Sequence, residues 1–282
     1  MLKAVDIREQ ALRIDSGAGW LHGFLHEPGA AARGRVLICP PIFEERKSAH
    51  RALVEAARHL AAAGWRVLRF DYRGCGDSGG AFADYAVRDW EEDTVAAAAR
   101  LQAAGPADGP LALLGLRLGG SLALRCAVRC QAERAVLWEP VVSGHAYLRD
   151  ELRKKLMKEM VTFGRNRVSR DALLTDLANG ATVDFDGYPV TPRLQRELEA
   201  LDPETLADSA PARALLMHVS HRDQPAATHA ALHAKLEANG CRVDSATVVL
   251  QPFWNLIGYV DIATLADATL RWCDGAAETV SG

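Results

Sequence analysis

The sequence predicts an α/β fold, a mostly parallel sheet flanked by helices and interrupted by one insertion. Three observations carry this expectation. Short apolar runs alternate with helical patterns before about residue 143 and again after 209, the rhythm of βαβ units. Gly115-x-x-x-Gly119 joins an apolar run to an Ala/Leu-rich stretch, which marks a tight strand–turn–helix. Between about 144 and 208 the alternation stops.

The elements follow in order. Residues 4–26 alternate apolar and polar on both sides of Asp15-Ser16-Gly17-Ala18-Gly19 and read as an antiparallel hairpin. Arg35-Val36-Leu37-Ile38-Cys39, ended by Pro40-Pro41, suits a strand covered on both faces. A helix is expected over 48–63, with Ser48 as its cap and Gly64 as its stop. Trp65–Phe70 is the next strand, closed by Asp71-Tyr72-Arg73-Gly74-Cys75-Gly76. A helix over 86–104 ends at Gly105-Pro106. The strand Leu111–Leu114 leads into a helix from Leu118, and the strand Ala135–Trp138 ends at Glu139-Pro140.

Inside the insertion, 146–162 reads as a basic amphipathic helix. Tyr147, Leu148, Leu152, Leu156, Met160 and Phe163 form its apolar stripe. An Asp-Gly hairpin at 183–188 and a short helix near 192–200 follow. The rhythm resumes with strand Ala214–Val219, helix 226–238, strand Ala246–Leu250 and helix 261–273. The domain expectation is a core of 1–143 and 209–282 with a cap over 144–208.

Composition sets broad limits. A chain of 282 residues with 49% hydrophobic and 24% charged content can bury a full core. A formal charge of −3 gives no electrostatic reason to expect nucleic acid or an anionic membrane. No signal core and no transmembrane run is present, and the 6 cysteines make no CxxC pair, so a reducing cytoplasm is the expected compartment. Cys126 and Cys130 read as buried small hydrophobes. His229 and His233 share a helix face but lack a third ligand by sequence, so neither a metal nor a cofactor is expected.

Strand, Gly115-Leu116-Arg117-Leu118-Gly119 and helix form the context of a nucleophile elbow. With Asp71–Ser78, which matches D-x-R-G-x-G-x-S, and a cap-like insertion, the chain resembles the α/β-hydrolase superfamily over roughly 10–275. That resemblance implies a mostly parallel eight-stranded sheet with helices on both faces. More narrowly, Pro40-Pro41-Ile42-Phe43-Glu44-Glu45, Gly115–Gly119 and Leu137-Trp138-Glu139-Pro140 resemble hydrolase-like proteins of bacterial exosortase and exopolysaccharide gene clusters.

Carried over by position, the nucleophile is Arg117, a permanent cation with no lone pair to attack a carbonyl. The acid position is Asp223. The base position, after Leu250, holds Gln251-Pro252-Phe253-Trp254-Asn255, and the last histidine is His233. The superfamily's oxyanion hole would use the backbone N–H of Leu118 with that of Ile42 or Phe43, since Pro41 has none. A lone acid retains little catalytic value.

Arg117 at a helix N-terminus calls for an anion. Either an internal carboxylate supplies it (Glu44, Glu45, Glu139 or Asp223), or Arg117 and nearby N–H groups bind an external carboxylate, phosphate or sulfate. The leading expectation is a non-hydrolytic protein that binds a small anionic or acyl compound, or a protein partner. The alternative is an ester or thioester hydrolase or transferase in exopolysaccharide or lipid metabolism, with Cys75, His145 or His221 recruited. A structural subunit would instead show a wide exposed apolar patch near the cap. Ser121 is expected to face the sheet, Cys39 to be core and Ser78 to support its turn.

Overall fold

The computed structural model describes residues 7–17, 19–107, 109–166, 168–222 and 227–275. The hairpin is β1 (Arg8–Ser16) and β2 (Gly19–Glu27), paired antiparallel in register. Then come β3 (Arg35–Cys39), α1 (Phe43–Ala62), β4 (Arg66–Phe70), α2 (Val87–Gln102), β5 (Leu111–Leu116), α3 (Leu118–Cys126) and β6 (Arg134–Trp138). After the inserted segment the chain continues through β9 (Arg213–Ser220), α8 (Ala227–Ala238), β10 (Arg242–Val249) and α9 (Ala263–Cys273).

The sheet has eight strands in the order β1-β2-β4-β3-β5-β6-β9-β10, parallel from β4 to β10. Only β2 breaks the pattern, pairing antiparallel with both β1 and β4. This is the α/β-hydrolase fold, and the strand order explains the apolar runs. A central strand has helices on both faces, so successive side chains alternate between two cores. Leu37, Leu113, Leu137 and Leu216 enter one core beneath α2 and α3. Val36, Leu114, Val136 and Leu215 enter the other beneath α1 and α9.

Helix α1 begins five residues before the expected cap. Its N-cap is Ile42, and Ser48 lies inside the helix. The Pro40-Pro41 pair ends the strand, and the acidic first turn, Glu44 and Glu45, suits the positive end of a helix dipole without a serine.

The segment between β6 and β9 holds α4 (Gly144–Phe163), α5 (Arg170–Ala178), a small hairpin of β7 (Val183–Asp184) and β8 (Pro189–Val190), α6 (Pro192–Glu199) and α7 (Pro203–Ala207). Helices α5 and α7 were not expected from sequence. Ser143 caps α4 by accepting from the Ala146 N–H, and Gly164 ends it in the left-handed region. Tyr147, Leu148, Leu152 and Leu156 are buried as the stripe predicts, but Met160 and Phe163 are exposed. The last turn and a half of α4 lies outside the buried core, where Met160, Val161 and Phe163 are exposed. No helix among the described residues is long and apolar enough to cross a membrane.

Candidate functional site

Two helix N-termini meet above the parallel strands. Between β5 and α3, Arg117 adopts φ 54° and ψ −124°, a conformation L side chains rarely take. The turn closes only because its neighbours lack side chains. A Cβ on Gly115 would overlap the Gly119 carbonyl, and one on Gly119 would overlap the Cys39 and Pro40 carbonyl oxygens. The elbow is therefore intact, and it presents a guanidinium.

The anion that Arg117 calls for is Glu45. The Arg117 Nε donates to Glu45 Oε1 at 3.2 Å. The same carboxylate accepts from Lys154 Nζ at 3.0 Å and from the Tyr147 hydroxyl at 3.1 Å, and Lys154 also reaches Glu151 at 2.6 Å. Glu45 is 2% exposed, so three donors replace the water it has lost. Burial is the largest single influence and works against charge on Arg117 and Lys154, but Glu45 together with Tyr147 and Glu139 around Arg117, and with Glu151 around Lys154, raises both above their ordinary values. The dipoles also agree: a cation at the start of α3 is offset by an anion in the first turn of α1.

Two rings cover the guanidinium, Tyr147 at 5.7 Å and Trp254 at 5.5 Å from its carbon. Trp254 belongs to the 3-10 turn Phe253–Asn255 that follows β10, the place where the superfamily's base would lie. A residue of the segment after β10 thus packs on the arginine of the turn between β5 and α3.

Glu44, also expected as a partner of Arg117, pairs instead with Lys47 one turn along α1. One residue of helix turns its side chain about 100° away from Glu45. Glu139 contributes its backbone carbonyl to Arg117 Nη1 at 3.3 Å, not its carboxylate. That carboxylate accepts from the Val219 N–H at 2.9 Å and lies 2.7 Å from His218 Nδ1 and 3.6 Å from His229 Nε2. Sequence reasoning paired His229 with His233. The structure instead turns His229 into the protein toward Glu139, and His233 toward Glu237. His218 was missed because it is a lone polar residue inside an apolar strand, and only the strand order places it beside Glu139.

Leu118, Ile42 and Phe43 are all buried, and the Phe43 ring packs among Phe82, Tyr147, Phe185 and Tyr188. Asp223 lies outside the described residues. Cys75 is buried, and desolvation pushes its thiol up to about 12. His145 is exposed near Glu199, and His221 is exposed on its loop, so neither adjoins Cys75 or Arg117. Ser121 donates to the Val141 carbonyl, and Cys39 is fully buried. Ser78 ties its turn to the Asp71 carbonyl and the His22 N–H.

Beside the Glu45 network, a cavity of about 410 Å³ opens between α4 and α1. Phe43, Phe185, Trp254 and Ile257 give it apolar walls; Arg153, Lys154, Lys155 and Lys158 line its α4 side, each paired with a carboxylate, and Glu44, Glu45, Glu151 and Asp186 also line it.

Glu151 makes this region pH-sensitive. Burial, reinforced by the Glu45 carboxylate, pushes it from 4.5 up to about 7, against the pull of Lys154 and Arg117. A carboxyl with a raised folded pKa holds its proton more tightly in the native state. Its stabilising contribution is complete below about pH 4.5 and is lost as pH rises through about 7. Glu151→Gln should therefore lose less stability than wild type across that window. Urea unfolding at both ends measures this, and equal losses in the two proteins would refute it.

The comparisons with known proteins agree with this geometry. The family described as serine aminopeptidase, S33, matches residues 30–224, more than half of the chain. The chain belongs to this family of α/β hydrolases. No curated relative matches it. Among solved structures, it is similar to an α/β serine hydrolase without a lid from Xanthomonas campestris. That match has 19% identity and a TM-score of 0.56, and covers 94% of this chain and 93% of that one. The Est1E protein of Butyrivibrio proteoclasticus, solved with ferulic acid, matches at 15% identity and TM-score 0.63 over 93% and 97% of the two chains. An esterase of Pyrococcus furiosus matches at 15% identity and TM-score 0.62 over 95% and 88%. At these identities the likeness concerns the fold.

Proposed function

We propose that this protein has kept the hydrolase scaffold without Ser-His-Asp chemistry, and that it binds a small acyl compound with an anionic head. The observation that carries this reading is Arg117 on the intact elbow, held by Glu45 and covered by Trp254. A guanidinium there cannot form an acyl intermediate, and an indole cannot serve as the base. The segment 144–208 acts as a cap, and the cavity under α4 is the binding site. Its apolar walls suit an acyl chain, and the exposed Arg153 and Lys158 at its α4 side suit a carboxylate or phosphate that takes the place of their surface partners Asp150 and Asp186. The resemblance of the Pro-Pro-x-x-Glu-Glu, Gly-Leu-Arg-Leu-Gly and Leu-Trp-Glu-Pro motifs to hydrolase-like proteins of bacterial exopolysaccharide gene clusters is what links the chain to such a pathway.

The competing reading, an acyl hydrolase or transferase built on Cys75, His145 or His221, has less support. Those groups lie apart, and the thiol is buried and protonated. A protein partner would meet the exposed Met157, Met160, Val161 and Phe163 on α4.

Wild type and Arg117→Ser are both expected to show no turnover of p-nitrophenyl esters or thioesters and no labelling by a fluorophosphonate. A medium-chain fatty acid should quench Trp254 fluorescence saturably, and Ile257→Glu, at the cavity wall, should weaken that binding at least about tenfold, a loss of about 1.4 kcal/mol. Turnover that survives purification, or the absence of saturable quenching, would overturn the reading.

A further inference from the structure

We propose that Glu139, His218 and His229 form a binding site for a divalent transition ion of the zinc class. The three come from different elements: the residue after β6, strand β9 and helix α8. One ligand atom from each lies within 4.8 Å of the others. A tetrahedral ion bound at about 2.1 Å needs ligand atoms about 3.4 Å apart. His218 Nδ1 lies 2.7 Å from Glu139 Oε2 and His229 Nε2 lies 3.6 Å from Glu139 Oε1, so each imidazole faces one oxygen of the same carboxylate at a distance near that value. The 4.8 Å bound exceeds the tetrahedral spacing by about 1.4 Å, a closure that rotation of the imidazole and carboxylate side chains can share.

The surroundings suit ligands. Glu139 sits at φ 45°, an uncommon conformation for its type, at the end of its strand. The Val219 N–H fixes one carboxylate oxygen, the kind of support that orients metal ligands. The two imidazole rings stand at 90° with centroids 5.7 Å apart, so they approach from different sides. The nearest fixed cation is Arg117, and Glu45 already balances it.

Two nitrogens and one oxygen favour zinc, cobalt or nickel over magnesium or calcium, which prefer all-oxygen shells. Three protein ligands leave one coordination position open. This site is separate from the cavity under α4, and it does not depend on the acyl-binding reading.

The test is titration of the full chain, stripped with a chelator, with Co2+. One equivalent should bind with a visible d–d spectrum that lacks a thiolate charge-transfer band. Zn2+ should displace it, and Mg2+ should not. His229→Gln and Glu139→Gln should each weaken binding at least about 100-fold, while His233→Gln keeps wild-type affinity. If Glu139→Gln fails to fold, His218→Gln takes its place, with circular dichroism confirming the fold. Equal Co2+ affinity in wild type and His229→Gln would overturn the proposal, as would affinity lost only in His233→Gln.

Discussion

Glu45→Gln is expected to lower the unfolding free energy by about 3–5 kcal/mol, the loss typical of breaking a buried ion pair from one side. Gln keeps the shape but removes the charge that faces Arg117 and Lys154 at once. Arg117 would then be a buried cation at a helix N-terminus whose remaining acceptors, the introduced amide oxygen and the Glu139 carbonyl, carry no charge. Lys154 would keep Glu151, so most of the loss should trace to Arg117. A double variant, Glu45→Gln with Arg117→Met, should recover part of it. The methionine would pack between the Tyr147 and Trp254 rings, and no charge would be stranded there. Guanidinium unfolding of the three variants measures this. A loss under about 1 kcal/mol for the single variant would mean that water reaches the pair and screens it.

Gly119→Ala should be at least as damaging, by about 3 kcal/mol or more, through overpacking. The added methyl would fall on the Cys39 and Pro40 carbonyl oxygens. Both are backbone atoms at the end of a central strand, so no side chain can rotate away. Gly120→Ala is the control, because its methyl would meet Gly115 O at 3.1 Å and Pro140 Cβ at 3.2 Å, contacts that are tight but not overlapping. Thermal melts of the two proteins should separate clearly. If Gly119→Ala melts with wild type, the elbow is looser than described.

Much of the fold was legible because its signals are local. The alternation on both sides of Gly17 marks the hairpin, and the fully apolar runs at 35–39 and 111–116 mark strands covered on both faces. The elbow was legible from Gly115 and Gly119, where only glycine fits. Helices α5 and α7 were not, since short segments over-rule weak propensities through tertiary contacts. The site was half legible. That Arg117 needs an anion follows from charge and a helix terminus. Which carboxylate answers depends on a neighbour 72 residues away in sequence. Lys154 belongs to the basic face of the amphipathic helix expected over 146–162, yet it reaches back to Glu45 across 109 residues. The meeting of Glu139, His218 and His229 needs β6 and β9 to be neighbours, which only the strand order supplies.

The grip between Arg117, Glu45 and Trp254 also bears on descent. A lineage that restored serine at 117 would leave Glu45 facing Lys154 alone and Trp254 above an empty space. One that lost Glu45 first would strand the arginine. Neither single step is neutral, so positions 45, 117 and 254 should be inherited together and exchanged together. The arginine then works as a ratchet, with each supporting residue making the way back to a serine hydrolase longer.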